Sequence, residues 1–328
     1  MNAESKYDIS VIVLTYNADW NKLVNTLNSI IFQRNLNFEI VIADDGSSIR
    51  HDDKINKYFQ MHNYTDYKIV NSEKNNGTCI NLNNAVEIAE GKYIKPFSPG
   101  DYLYNEETLH DWTDYMDNNS SRISFGDAVY YNIPSSEINV VETSASPSNR
   151  NLYMKQTSRK KFFTNYMIAN DTISGASVMM KKEVIKKYLN RIVGKVIYAE
   201  DFMLRLAVYD NVRIDYFQKP VIWYEFGIGI STSANDKWRM LLQKDFTECN
   251  KIITESDISS DSIGNKYKKL LSKEINNKIV RKIIKIIYFP GGVICRIRNK
   301  YIYDKTPTNV DFDFITRIIK EKDENAGN

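Results

Sequence analysis

Across its first hundred residues the chain alternates short apolar runs with segments whose apolar side chains recur every three or four positions. This is the pattern of strand-helix-strand units whose strands are covered on both faces and lie mostly parallel. Ile9–Leu14 reads as the first such strand, and Asp19 can cap a helix whose stripe is Leu23, Leu27, Ile30 and Ile31. Phe38–Ile42 is a second strand, stopped by Asp44-Asp45-Gly46-Ser47, and Tyr67–Val70 is a third. Leu82, Ala85, Val86 and Ala89 mark one face of the next helix, which Gly91 ends. Tyr93–Phe97 is a fourth strand running into the turn-forming Ser98-Pro99-Gly100-Asp101. Ligands of an open α/β sheet bind beyond the carboxyl ends of its strands. Thr15-Tyr16-Asn17, Asp44-Asp45 and Asp101 all stand at that edge.

Further along, Phe125–Tyr131 and Ser174–Met180 read as strands, separated by a Ser-, Asn- and Pro-rich stretch from Pro134 to Arg150 that reads as a loop. A helix is expected over Lys181–Leu189. Another opens at Tyr198 with Glu200-Asp201 in its first turn, where acids offset the helix dipole. Strands at Val212–Tyr216 and Val221–Tyr224 close the body. The expected boundary falls near residue 232, giving a catalytic domain over 1–232 and a helical, basic extension over 233–328. Charge supports the division: residues 233–328 carry 19 basic and 13 acidic side chains, against 25 and 28 before them.

Reactive side chains narrow the chemistry. The chain has 41 Asp plus Glu but 3 His and 3 Cys, scattered, which disfavours a zinc site or a Ser-His-Asp triad and leaves carboxylates to act. Cys79, Cys249 and Cys295 form no disulfide framework and suit a reducing cytosol. No signal-peptide pattern is evident, and no apolar run approaches the roughly 18 residues of a membrane span. A cytoplasmic location is therefore expected. Taken alone, each acidic motif reads more often as a plain turn or a helix cap than as a site. Together, carboxylates at several strand tips would converge on one cleft and require cations or hydrogen-bond donors. A nucleotide with its diphosphate and a divalent cation supplies both.

The chain resembles the family 2 glycosyltransferases of the GT-A fold, which transfer sugars from nucleotide diphosphates, usually with inversion. The resemblance spans about residues 8 to 232. It rests on Ser10–Asn17, Leu27–Gln33, Ile40–Ser47, Asn75-Asn76-Gly77, Asn83, Ala89–Ile94 and Glu200-Asp201 with Arg205. It implies an α/β fold with a Rossmann-like, mostly parallel central sheet flanked by helices and followed by a C-terminal helical extension. It further implies that Thr15, Tyr16 and Asn17 line the base pocket, that Asp44 and Asp45 bond the uracil or ribose, and that Asn76 and Asn83 border the ribose and diphosphate. The family's metal loop reads Asp-x-Asp, often with a further Asp. Here Ser98-Pro99-Gly100-Asp101 leaves Asp101 as the implied ligand of Mn²⁺ or Mg²⁺, with Ser98, phosphate and water completing the shell. In an inverting displacement the acceptor hydroxyl loses its proton as it attacks from the face opposite the departing diphosphate, and a carboxylate there can take it. Asp201 is the expected base, Glu200 its neighbour in orienting the acceptor, and Arg205 a cation for the leaving group. Glu225 stands where relatives carry other residues and is a candidate acceptor or metal ligand. Trp223 and Tyr224 read either as an aromatic platform for a sugar ring or as core.

The implied partners are a UDP-sugar and a glycan acceptor, lipid-linked or protein-linked, on a growing bacterial surface glycan. An inactive nucleotide-binding relative that scaffolds a partner transferase is the alternative, motivated by the depleted metal loop. A pyrophosphorylase would need a Gly-rich basic loop after the first strand, where Thr15–Asp19 stands instead. In the tail, Lys278–Phe289 is amphipathic, with Ile279, Val280, Ile283, Ile284 and Ile287 on one side and Lys278, Arg281, Lys282 and Lys285 on another. It reads either as a peripheral contact with an anionic membrane at the inner face of the plasma membrane, or as a helix docked on the catalytic domain or on a second copy in a homo-oligomer. No nucleic-acid-reading module surrounds the basic run, so nucleic acid is not an expected partner.

Overall fold

A computed structural model describes residues 5–133, 137–141, 146–154, 157–227, 236–256, 261–273, 277–301 and 310–320. The expected boundary near 232, Gly229 and Ser231 of the closing segment, residues 134–136 and 142–145 of the loop expected over 134–150 and the end from 321 to 328 lie outside these residues.

The apolar runs form the strands that their composition demands. β1 (Tyr7–Thr15) is buried at every position but Asp8, and β2 (Phe38–Asp44) at every position. With β3 (Tyr67–Asn71) and β4 (Gly91–Phe97) they pair in parallel, Val13 lying beside both Ile42 and Phe97. The crossovers are α1 (Trp20–Ile31), α2 (Asp52–Met61) and α3 (Thr78–Ile88). Alternation along β1 divides two cores. Val11 and Val13 face the layer of α1 and α2, while Ile12 and Leu14 face that of α3.

The far half of the sheet is mixed. β5 (Tyr102–Leu103), α4 (Thr108–Asn118), β6 (Ile123–Asn132), β7 (Asn139–Val140), α5 (Arg159–Phe163), β8 (Val178–Lys181), α6 (Lys182–Ile192), α7 (Phe202–Tyr209) and β9 (Asp215–Glu225) follow in chain order. The sheet runs β3-β2-β1-β4-β8-β6-β9-β5, with β7 beside β6. β8 enters antiparallel between β4 and β6, whereas β6 and β9 are parallel. Three expectations are corrected. The two strands expected at 212–216 and 221–224 are one, β9, carried through Gln218-Lys219-Pro220 by a bulge opposite Asp127. The strand expected from Ser174 begins only at Val178, after a tight turn over Gly175–Ser177. Glu200 and Asp201 lie in the turn before α7, and Asp201 makes no side-chain cap bond.

Beyond residue 235 the chain is helical: α8 (Asp236–Glu255), α9 (Ser262–Leu271), α10 (Lys278–Tyr288), α11 (Gly291–Tyr301) and α12 (Asp313–Lys320). α8 and α9 bury Cys249, Ile253, Ile263 and Tyr267 in the same core as α7, so this part of the extension completes the body. α12 sets Ile315 against Tyr104, Tyr131 and Trp223. α10 leaves Ile279, Val280, Ile283, Ile286 and Ile287 exposed. Among the described residues no helix is long and apolar enough to cross a membrane.

Candidate active site

The carboxyl ends of β1, β4 and β9 and the turn before α7 open on one cleft of about 530 Å³. Of the residues expected to act, Tyr16, Ser98, Asp101, Glu200, Asp201, Tyr224 and Glu225 line it, joined by Lys22, Thr78 and Tyr198, which the sequence reading did not single out.

The loops after β1 and β2 are stitched together by the residues expected to meet the nucleotide. Asp44 accepts from the Thr15 hydroxyl at 3.0 Å, the Ser47 N–H at 2.8 Å and the Ser47 hydroxyl at 2.6 Å. Asn17 sits at φ 47°, tolerable for Asn, and its Oδ1 accepts from the backbone N–H and hydroxyl of Ser48. Tyr16, half exposed at the rim, is free to cover a planar ligand. Thr15 and Asp44 border a smaller adjoining hollow with His51 and Asn71. Asp45 corrects one expectation. It is buried, its two oxygens accept the N–H groups of Asn76 at 2.9 Å and Gly77 at 2.8 Å, and it therefore braces the start of α3 rather than facing a ligand. Burial pushes its carboxyl upward, which those N–H groups oppose. Asn76 turns its side chain to the Lys74 carbonyl, and Asn83 lies half-buried along α3, away from the cleft lining.

The start of α3 also positions the acidic turn. Gly77 has φ 91°, and a Cβ there would lie 2.5 Å from the Ile197 carbonyl, so only glycine permits this approach. The Thr78 hydroxyl then donates to Glu200 Oε2 at 2.6 Å. On the other side the buried Asp245 of α8 accepts from the N–H groups of Ile197, Tyr198 and Ala199 at 3.1, 2.7 and 3.1 Å. No sequence motif announces Asp245, whose role comes entirely from the docking of α8. Burial raises both Glu200 and Asp201. Asp201 is held back by the Arg205 guanidinium, whereas Glu200 is pushed further by Asp201, so Asp201 ionises first. Arg205 is itself buried, bonded to Asn170 and Tyr267 and lying over the Phe246 ring, which corrects its expected contact with the leaving group. It acts behind Asp201.

Trp223 is fully buried, stacked on Tyr104 at 5.9 Å and packed by Phe312, which corrects its reading as a sugar platform. Tyr224, next along β9, points to the opposite face and lines the cleft, edge-on to Tyr130.

Asp101 was the implied metal ligand. It is buried, faces the backbone N–H groups of Glu225 and Ser98, and shares its surroundings with Lys95, which is also buried and donates to the carbonyls of Pro96 and Ala176. Burial drives Asp101 up and Lys95 down, and each opposes the other's shift. The second carboxylate here, Glu225, is ion-paired to Lys22 at 2.6 Å. Among the described residues no three His, Cys, Asp or Glu side chains gather to hold a metal. With Asp101 facing backbone N–H groups near the Lys95 charge and Glu225 paired to Lys22, these two acids do not fit a divalent-metal shell.

Comparisons with known proteins identify the fold and the family. In sequence the chain is 25% identical to an uncharacterised glycosyltransferase, MJ1057 of Methanocaldococcus jannaschii, over 66% of this chain and 70% of that one. It is 29% identical to a putative teichuronic acid biosynthesis glycosyltransferase, TuaG of Bacillus subtilis, over 36% of this chain and 45% of TuaG. In fold it is similar to S. aureus TarS 1–349, with a TM-score of 0.53 at 18% identity over 89% of each chain. A crystal structure of the same TarS fragment with UDP-GlcNAc gives a TM-score of 0.51 at 17% identity over 89% of each chain. The profile of the family described as Glycosyl transferase family 2 matches residues 10–189, more than half of the chain. The chain is thus a glycosyltransferase with the GT-A fold, and it belongs to glycosyl transferase family 2.

Proposed function

We propose that the protein is an inverting glycosyltransferase that moves a hexose or N-acetylhexosamine from a UDP-sugar to a hydroxyl of a growing bacterial surface glycan. The observation that carries this is the placement of Glu200 and Asp201 in one cleft with Tyr16 and the 98–101 loop. The teichuronic acid assignment of TuaG and the UDP-GlcNAc complex of TarS support the donor and acceptor classes. The acceptor is lipid-linked, as in a capsule or exopolysaccharide repeat, or protein-linked. The exposed isoleucines of α10 and its neighbouring Arg281, Lys282 and Lys285 support a peripheral contact with anionic membrane at the cytoplasmic face.

In this reading the uridine lies under Tyr16 beside Thr15 and Asp44, and the sugar sits between the 98–101 loop and the acidic turn. Asp201, ionised before Glu200, takes the proton of the acceptor hydroxyl as it attacks the anomeric carbon. Glu200, held by Thr78, bonds and orients the acceptor. Tyr224 and Glu225 border the acceptor side. Family 2 transferases generally depend on a divalent metal, which supplies charge stabilisation to the leaving diphosphate. The sequence expectation of Mn²⁺ or Mg²⁺ at Asp101 meets a donor set that does not fit, and no step here is routed through a metal.

The test is UDP release from a panel of UDP-sugars with and without Asp201→Asn. Turnover that this substitution abolishes, with UDP binding retained, is the expected result. UDP binding without turnover on any donor would instead favour the scaffolding relative, the reading motivated by Ser98 and Gly100 in the metal loop.

A further inference from the structure

Gly100 occupies the loop where relatives carry metal-binding acids, and the structure shows what stands there instead. The residue has φ 101°, and a Cβ built on it would lie 2.5 Å from Glu225 Oε2 and 3.7 Å from Lys22 Cδ. A carboxylate side chain at this position would be strained by the backbone conformation and would have to displace the Glu225 carboxylate. The space holds the Lys22–Glu225 pair, whose Nζ lies 2.6 Å from Oε1 and 2.7 Å from Oε2.

The lysine is built into position. Asp19 caps α1 by accepting the Lys22 N–H at 3.0 Å, which fixes the first turn. One turn on, the Thr26 hydroxyl donates to the Asp101 carbonyl at 3.0 Å and accepts the Gly100 N–H at 3.1 Å, locking the helix to the loop. The Lys22 side chain is 35% exposed and that of Glu225 15%, and both lie in the lining of the same cleft as Glu200 and Asp201. An ammonium has three donors, and one carboxylate does not exhaust them.

We propose that Lys22 is the cation that meets the donor's diphosphate, in the place a divalent metal takes in relatives, with Glu225 as its counter-ion when the cleft is empty. This rests on the nucleotide-sugar reading above and deepens it. In the transfer the bond from the anomeric carbon to the β-phosphate oxygen breaks, and its electron pair leaves with UDP. The acceptor oxygen forms the new bond and its proton passes to Asp201. The charge growing on the diphosphate is met by the Lys22 ammonium, which stays protonated throughout. A lysine acts here as a compact point charge. Glu225 keeps that charge from standing alone in the empty cleft and weakens its hold on UDP once the sugar has gone.

The experiment is calorimetric binding of UDP and UMP to the full chain in EDTA, for the wild type, Lys22→Met, Lys22→Arg and Glu225→Gln, with melting temperatures to confirm that each is folded. The wild type should prefer UDP to UMP by about tenfold or more without metal, the scale of one hydrogen bond to a charged group. Lys22→Met should remove that preference, Lys22→Arg should keep most of it, and Glu225→Gln should widen it. An unchanged UDP-to-UMP ratio in Lys22→Met would overturn the proposal. So would a wild-type preference that vanishes in EDTA and returns with Mn²⁺, or a Glu225→Gln ratio that narrows. If no version binds either nucleotide, the nucleotide-sugar reading itself falls, and this inference falls with it.

Discussion

Asp245 offers the sharpest test of how the acidic turn is held. Its carboxylate is buried and accepts three backbone N–H groups, those of Ile197, Tyr198 and Ala199, immediately before Glu200 and Asp201. Asp245→Asn preserves size but places an NH₂ group where at least one of those donors points, so one or two of the bonds are lost. A hydrogen bond to a charged group contributes about 1.5–3 kcal/mol, and a buried donor left without an acceptor costs about 1–3 kcal/mol. A loss of about 2–4 kcal/mol in unfolding free energy is expected, read from the midpoint and slope of urea denaturation. The functional consequence is more specific. The donor loops after β1 and β2 hold each other through Asp44, Thr15, Asn17 and Ser47 without help from α8. Binding of UDP should therefore change little, while kcat should fall by about tenfold to a hundredfold, the scale of an ångström's misplacement of a reacting group. Steady-state kinetics on the best donor, with UDP affinity measured in parallel, separates the two. A variant as stable as the wild type, or one that loses UDP affinity in step with kcat, would refute the view that α8 positions the base through this carboxylate.

Asp201→Asn should lower kcat by about a hundredfold to ten-thousandfold with UDP affinity retained, whereas Glu200→Gln should act mainly on acceptor KM; equal effects of the two on kcat would leave the base unassigned. Burial pushes Asp201 up to about 6, so kcat/KM should rise with pH on an acid limb near 6 in buffers of constant ionic strength, and a limb near 4 would contradict the buried setting. The same burial lifts Glu200 to about 7, well above its value in an unfolded chain, so the folded state keeps a proton that the unfolded state releases. Stability should therefore fall as pH rises from about 4.5 through about 7, and Glu200→Gln should raise the melting temperature at pH 8 but not at pH 5; a destabilised variant at pH 8 would reverse that sign. Vesicles containing anionic lipid should bind the full chain in a salt-sensitive way, and Ile283→Asp with Ile287→Asp should weaken the binding. Equal affinity for neutral vesicles would exclude the charged component.

The parallel half of the fold was legible because its physics is local. A β-branched run such as Ile9–Leu14, covered on both faces, has few alternatives to a buried strand, and Asp19 caps α1 as its position before the apolar stripe suggests. The mixed half was not, since β8 enters the sheet after a long excursion and Pro220 interrupts the pattern of what is one strand. The site divides in the same way. Asp101, Glu200 and Asp201 follow strand ends or open a helix and could be placed in a cleft from order alone. Asp45, Arg205 and Trp223 were assigned a ligand because residue type and register fit, yet each turns to a protein partner: backbone N–H groups, Tyr267 and Tyr104. Which way a polar side chain turns is decided by what packs beside it. For Arg205 that neighbour is α9, more than 55 residues on in sequence, and no local pattern encodes it.

The same dependence explains why the helices after residue 235 belong to the catalytic argument rather than following it. Asp201 needs a cation nearby to ionise before Glu200, and it gets one from Arg205. A guanidinium buried without partners would be costly, and the side chains that meet it are Asn170, Phe246 of α8 and Tyr267 of α9. Asp245 of α8 fixes the backbone of the acidic turn itself. Both the charge state and the position of the proposed base thus trace to side chains from beyond the boundary that composition suggested. A version of this chain ending near residue 232 would leave Arg205 without two of these three contacts and Ile197–Ala199 without an acceptor. Such a truncation would also strip Cys249, Ile253, Ile263 and Tyr267 from the core that Ile12 and Leu14 share, so transfer and thermal stability should be lost together, read from UDP release and a melting curve.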